Sequence, residues 1–138
     1  MKVLLINGSP KKEGCTYTAL KVVADELEKN GIETEIFHVG TKAVKGCMGC
    51  GVCSKKGNHQ CVYNYDTVNE GILKAKEADG IVFGSPVHYA SASGAITSFM
   101  DRLFYSSGGA LQYKPGAAIA SARRVGTTAT LDQLTKYF

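Results

Sequence analysis

The sequence has no long hydrophobic run: no stretch of consecutive apolar residues exceeds four, and Val3–Ile6 is one such stretch. It therefore contains no segment long enough to cross a membrane, and no signal-peptide core or cleavage site follows Met1-Lys2. Basic stripes, internal repeats, low-complexity tracts and interdomain linkers are absent as well. The formal charge is +4 and the basic residues are scattered, so we expect small anionic ligands and neither a nucleic-acid nor a membrane partner.

The composition is typical of one packed domain. The chain has 138 residues, of which 44% are apolar and 20% charged, and we predict a single domain over residues 1–138. Because no export signal is present, we expect a cytoplasmic location. In that reducing compartment the five cysteines would not form structural disulfides.

Short apolar runs alternate with stretches of helical period. Strands are predicted at Val3–Ile6, Thr34–Val39, Gly80–Gly84 and Ala117–Ser121, and helices near 20–30, 67–78, 96–103 and from 131 onward. Thr67 and Glu70 have the spacing of a capping box at the start of the second helix. The alternation predicts an α/β fold, a doubly wound parallel sheet with helices on both faces. Ligands bind such sheets beyond the carboxyl ends of the strands, so the loops after strands one, three and four form the candidate site.

The loop after the first strand has the composition of a phosphate loop. It reads Asn7-Gly8-Ser9-Pro10-Lys11-Lys12-Glu13-Gly14-Cys15-Thr16 and leads into a helix. Small residues allow close backbone approach, and the hydroxyls of Ser9 and Thr16, the charge of Lys11 and the free amides at the helix start suit a phosphate. The alternative is an ordinary loop in which Thr16 caps the helix.

Other loop classes are excluded by spacing. Five residues separate Gly8 from Gly14, one too many for a Walker loop, and no G-x-G-x-x-G fingerprint is present. Lys21 occupies the position at which a tyrosine-phosphatase loop starting at Cys15 needs arginine. The acidic cluster of a response regulator is missing after the first strand. A loop for a mononucleotide phosphate remains.

The loops after the third and fourth strands also suit a ligand. Gly84 to Tyr89 contains a proline followed by two rings, which indicates a rigid edge and an aromatic face for a planar heteroaromatic ligand. The alternative is that His88 and Tyr89 cover the core or an interface. Residues 121–128 either supply further donors or form a solvated basic turn.

These motifs, together with Ser98-Phe99-Met100-Asp101-Arg102, resemble the NADPH-dependent FMN reductase and iron–sulfur flavoprotein family over nearly the whole chain. The resemblance implies a flavodoxin-like fold with sheet order 2-1-3-4-5. It implies that the FMN phosphate is held by Ser9, Lys11, Gly14, Cys15 and Thr16. The isoalloxazine ring would lie against Ser85, Pro86, Val87, His88 and Tyr89. The site would be completed by Ser121, Arg123 and Gly126.

A cysteine-rich segment at about 40–65, which we call the cysteine insertion, has no hydrophobic period. Its cysteines follow the pattern C-x2-C-x2-C-x7-C and are Cys47, Cys50, Cys53 and Cys61. The first three can reach three corners of a [4Fe–4S] cluster and the fourth can close it, and the pattern resembles the compact motif of iron–sulfur flavoproteins. Two alternatives stay open: thiols that bind no metal, and a zinc site in which His59 substitutes as a ligand.

We therefore expect an FMN-dependent oxidoreductase that takes hydride from NAD(P)H and passes electrons to a flavin, quinone or other small molecule. The flavin carries the chemistry, so no side chain is predicted to be catalytic. One alternative is an electron carrier that uses FMN and a [4Fe–4S] cluster with a ferredoxin-like partner. Another is a flavin-binding sensor without turnover.

The chain ends at Phe138, shortly after the last predicted helix begins. We therefore expect the last strand and helix of the fold to be missing and the fourth strand to have a free edge. A longer parent protein or a homo-oligomer would cover that edge.

Overall fold

The structure, a computed structural model, describes all 138 residues and confirms the α/β class. The strands are β1 (Lys2–Asn7), β2 (Glu33–His38), β3 (Gly80–His88), β4 (Ser91–Ala92) and β5 (Gly116–Ser121). The helices are α1 (Cys15–Lys29), α2 (Val52–Lys56), α3 (Val68–Glu77), α4 (Gly94–Ser107) and α5 (Thr127–Thr135). No helix is both long enough and apolar enough to span a membrane.

The four long strands form a parallel sheet in the order β2-β1-β3-β5. Leu5 of β1 pairs with Ile36 of β2 on one side and with Val82 of β3 on the other. Leu4, Leu5 and Ile6 are fully buried, as their continuous apolar run predicts for a central strand. The predicted order is confirmed for these strands, and the outer edge of β5 pairs with no strand of this chain.

Helices cover both faces of the sheet. On one face, Leu20 and Ala24 of α1 pack against Leu5 and Val82. On the other face, α3, α4 and α5 contribute to a core of 16 buried residues. Its helical members include Ile72 of α3 and Phe99 of α4, at positions that the helical period indicates.

Strand β3 is longer than predicted. It continues past Gly84 to His88 and then turns back into β4, with Val87 pairing Ala92 in antiparallel fashion. Pro86 is tolerated here because β1 ends at Asn7, which pairs with Gly84, so no ladder bond on the β1 side is lost. The predicted loop after strand three is thus a hairpin extending from the sheet.

The predicted capping box at Thr67 is wrong. Thr67 precedes α3, but its hydroxyl donates to the carbonyl of Val39 at 2.7 Å and makes no cap. The Asp66 carboxylate accepts from the amide of Val68 at 3.2 Å instead. The Thr67 side chain therefore joins the start of α3 to the end of β2.

Candidate functional site

The first loop is folded by Asn7, the last residue of β1. Its buried side-chain Oδ1 accepts from the amide of Ser9 at 3.0 Å, and its Nδ2 donates to the carbonyl of Lys12 at 3.1 Å. The Ser9 hydroxyl accepts from the amide of Lys11 at 3.1 Å. From β2, the His38 Nε2 lies 2.8 Å from the Ser9 carbonyl, to which it donates. These side-chain bonds fix the loop without any ligand.

Helix α1 begins with unpartnered amides. Its N-cap is Gly14, which has no side chain to cap the first turn, and the amides of Cys15, Thr16 and Tyr17 donate to no protein acceptor. A helix start of this kind carries partial positive charge and binds anions. Thr16 does not cap the helix, because its buried hydroxyl lies 2.7 Å from Ser121 Oγ at the end of β5.

Ser93, the N-cap of α4, joins the first loop to β3. Its hydroxyl donates to the Gly8 carbonyl at 2.8 Å, and its amide donates to Ser85 Oγ at 3.0 Å. Gly8 also donates to the Gly84 carbonyl at 2.8 Å. The first loop is therefore held to β3 and α4 at once.

The β3–β4 hairpin ends in a strained turn. Tyr89 and Ala90 have φ values of 50° and 59°, and such positive values cost a non-glycine residue of order 1–3 kcal/mol. Helix α5 supports the turn, because the Gln133 Oε1 accepts from the Ser91 hydroxyl at 2.7 Å and from the Ala92 amide at 3.0 Å. The hairpin therefore presents a fully exposed Tyr89 on a fixed backbone.

The five residues predicted to face a planar ring differ in whether their side chains are free to contact it. The Ser85 hydroxyl is buried and donates to the Pro86 carbonyl at 2.8 Å, so its side chain is used inside the protein. Pro86 and Val87 are half-buried, whereas His88 and Tyr89 are exposed. Four of the five side chains therefore have surface available to a ligand.

The loop after β5 closes the site. Gly126 has φ +96°, and a Cβ there would lie 2.6 Å from the Cα of Ala90, so only glycine allows this loop to meet the hairpin turn. Arg123 and Arg124 are exposed, as are Lys11 and Cys15 at the first loop. The sheet order thus brings the predicted loops together at the carboxyl ends of β1, β3 and β5.

The four cysteines of the cysteine insertion line one cavity of about 110 Å³ beside α4. Cys47 and Cys50 are exposed, Cys53 and Cys61 are half-buried, and all are free thiols. His59 does not line the cavity. Its ring lies against Gly108, so it is not placed as a substitute ligand.

The donor set of this cavity is compatible with an iron–sulfur cluster. No three His, Cys, Asp or Glu side chains converge on a point where they could hold a single metal ion. A zinc site requires that convergence, because all four ligands share one ion. In a [4Fe–4S] cluster each cysteine binds a different iron, so four thiols spread around one cavity are the donors it needs.

Asn69 of α3 holds Cys61, the cysteine that lies furthest from the other three along the chain. Its Oδ1 accepts from the Cys61 amide at 2.8 Å, and its Nδ2 donates to the Cys61 carbonyl at 2.9 Å and to the Tyr63 carbonyl at 3.2 Å. Asn69, Asn7 and Ser93 are not among the residues predicted from the sequence to form a site. A polar residue directly after a buried strand was a signal for Asn7, and serine before a helix was one for Ser93.

Comparison with known proteins agrees with this geometry. The chain matches the family model described as NADPH-dependent FMN reductase over residues 1–138. It is 36% identical to an iron–sulfur flavoprotein of Methanocaldococcus jannaschii, covering 100% of this chain and 72% of that protein. It is 35% identical to an iron–sulfur flavoprotein of Archaeoglobus fulgidus, covering 91% of this chain and 56% of that protein.

Solved structures share the fold. RosB with a bound riboflavin 5′-phosphate derivative superposes with a TM-score of 0.75 at 17% identity, over 99% of this chain and 58% of that one. An azoreductase of Bacillus anthracis gives a TM-score of 0.70 at 11% identity, over 99% of this chain and 79% of that one. The chain thus spans between about half and four-fifths of the proteins it matches here. The family model covers its full length, and the chain belongs to the NADPH-dependent FMN reductase family.

Proposed function

We propose that this chain binds FMN where β1, β3 and β5 end and passes electrons from NAD(P)H to a small-molecule acceptor. The observation that carries the proposal is the start of α1, where three amides are free and the first loop is held in place by Asn7 and Ser93. The small residues of this loop and its free amides suit a single phosphate, as a mononucleotide carries.

Different residues would bind the phosphate and the ring of FMN. Ser9, Lys11, Gly14, Cys15 and Thr16 surround the α1 amides and would hold the phosphate. Pro86, Val87, His88 and Tyr89 would contact the ring, with Ser121, Arg123 and Gly126 bordering it. When bound, FMN would supply the hydride acceptor for NAD(P)H and the electron donor for the second substrate. The protein would position the ring and shield it from water.

The Thr16→Asp variant tests the phosphate site. We expect it to abolish FMN binding, because a carboxylate at the start of α1 repels the phosphate and takes the free amides for itself. Flavin fluorescence during titration measures the affinity. Thr18→Asp is the matched control, since Thr18 is an exposed threonine one half-turn further along α1 and should leave the affinity close to wild type. Unchanged affinity in folded Thr16→Asp protein would contradict the proposed site.

A second candidate function is an iron–sulfur flavoprotein that exchanges electrons with a ferredoxin-like partner. It is supported by the single cavity that Cys47, Cys50, Cys53 and Cys61 line and by the names of the relatives. These residues would hold a [4Fe–4S] cluster, which would supply one-electron exchange.

Cys50→Ser tests the second function. Protein prepared anaerobically with iron and sulfide should contain equal amounts of both, and the variant should lose the iron yet keep FMN, because the two sites lie on different loops. Colorimetric iron and sulfide assays measure the outcome. Cys15→Ser is the control, because Cys15 lies outside the cysteine insertion and its loss should leave the iron count unchanged. An iron count near zero in wild-type protein would leave the first function alone.

A further inference from the structure

Arg102 is a buried charge that lies against the cysteine insertion. It lies on α4 among the core residues, and 1% of its surface is exposed. Removing a guanidinium from water costs several kcal/mol unless partners replace the lost solvation. The groups that the Arg102 guanidinium binds must therefore replace its lost solvation.

All three nitrogens of the guanidinium donate hydrogen bonds. Its Nη1 donates to the Asp66 carboxylate and to the Lys45 carbonyl, the latter at 3.2 Å. Its Nη2 donates to the Tyr63 carbonyl at 2.8 Å, and its Nε donates to Cys61 Sγ at 3.2 Å. A planar group with several fixed donors can serve all of these acceptors together, which a lysine ammonium cannot.

These partners lie on both sides of the four cysteines in the chain. Lys45 precedes Cys47, whereas Tyr63 and Asp66 follow Cys61. One side chain of α4 thus holds both ends of the cysteine insertion. The insertion has no apolar period of its own, so these bonds and those of Asn69, together with the packing of Val44 against the core, hold it in place.

Cys61 is the cysteine that needs this support. The first three cysteines are spaced three residues apart, but eight positions separate Cys61 from Cys53. The Arg102 Nε–H fixes its sulfur at the wall of the same cavity. A charged donor at 3.2 Å also makes Cys61 electrostatically unlike the other three.

Resting on the second proposed function, we propose that Arg102 is the positioning residue of the cluster ligands. It closes the cysteine insertion on α4 before any metal binds and presents Cys61 toward the cavity. Its bond to the Cys61 sulfur would stabilise negative charge there, so a cluster held by Cys61 would have a higher reduction potential.

The first test uses metal-free, FMN-saturated protein. Hydrogen exchange followed by mass spectrometry should show the Cys61 amide protected in the wild type. The Cys61 amide is bonded to Asn69, and Arg102→Lys should lower its protection about tenfold, because a lysine ammonium cannot serve all the acceptors by which Arg102 holds this segment in place. Leu103→Met is the matched control: it changes the neighbouring buried residue of α4 with little change in volume and should exchange like the wild type. FMN affinity shows that each variant is folded.

The second test loads iron and sulfide anaerobically. Arg102→Lys should take up iron with about tenfold or more weaker affinity, and the cluster it does form should have a lower reduction potential than the wild-type cluster. Two results overturn the proposal. One is metal-free wild-type protein in which the Cys61 amide is unprotected, and this needs no variant. The other is Arg102→Lys protein with wild-type exchange. Failure of the wild type to take up iron would refute the second function, while the exchange data still decide the role of Arg102.

Discussion

Gly8 lies where the first loop passes closest to α4. A Cβ at this position would be 2.5 Å from the Cβ of Ile96, which is itself fully buried and has no room to move. Gly8→Ala should therefore lower the free energy of unfolding by about 1–3 kcal/mol and weaken FMN binding by displacing the phosphate loop. Urea unfolding and flavin titration measure the two effects.

Gly94 provides the control for this prediction. It begins α4, and a Cβ there would meet nothing within 4 Å. Gly94→Ala should stay within about 1 kcal/mol of wild type and bind FMN normally. Equal effects of the two substitutions would show that the contact with Ile96 is not what requires glycine at position 8.

Local sequence indicated some residues of the candidate site but not others. The composition of the loops pointed to Ser9, Thr16 and Tyr89, because small, hydroxyl and aromatic side chains are recognisable from local sequence. Ser93 could not be assigned in the same way, because its partner Gly8 lies 85 positions away. Arg102 is similar, since its role depends on Tyr63, 39 positions away in the chain.

Among the elements, β2 is tied to its neighbours by one carboxylate. Glu35 accepts from Lys2 of β1 and from Lys74 of α3, and these bonds hold the pKa of Glu35 below its ordinary value. A lowered pKa stabilises the fold above the unfolded pKa of about 4.3, and this contribution is lost as the pH falls through the folded value.

Glu35→Gln should therefore lower the thermal midpoint at neutral pH, and the difference from wild type should shrink as the pH falls below about 4. Melting curves across this range measure the effect. Glu33→Gln on the same strand is the control, because Glu33 is largely exposed and lies 3.9 Å from Lys2. A difference between Glu35→Gln and wild type that persists unchanged at low pH would contradict the charge-based explanation.

The elements themselves were predictable where a local pattern determines them. The buried strand β1, the strand β5 and the stripe of α4 follow directly from apolar runs and helical period. The ends were less predictable, because they depend on neighbours. Strand β3 continues to His88 only because β5 and β4 pair with it there. At the start of α3 the Asp66 carboxylate accepts from the Val68 amide, because the Thr67 hydroxyl donates to the Val39 carbonyl instead.

At the scale of the whole molecule, the parallel sheet has a bare edge at β5 as well as one at β2. β5 pairs with β3 along its inner side, and no strand of this chain pairs with its outer side, as expected from the sequence. Unpaired edges expose backbone donors and acceptors to other chains. A homo-oligomer in which a second copy covers β5 stays a prediction.

The cysteine insertion also determines the electrostatic field around the molecule. Its four lysines have no acidic neighbour within residues 40–65, and the rest of the chain holds twelve basic and twelve acidic residues. None of these lysines forms an ion pair with a carboxylate. The formal net charge of +4 is therefore carried by the cysteine insertion. Beyond contact range, an anionic redox protein would be steered so that it meets this side first, and added salt would slow its arrival without altering the bonds formed afterwards.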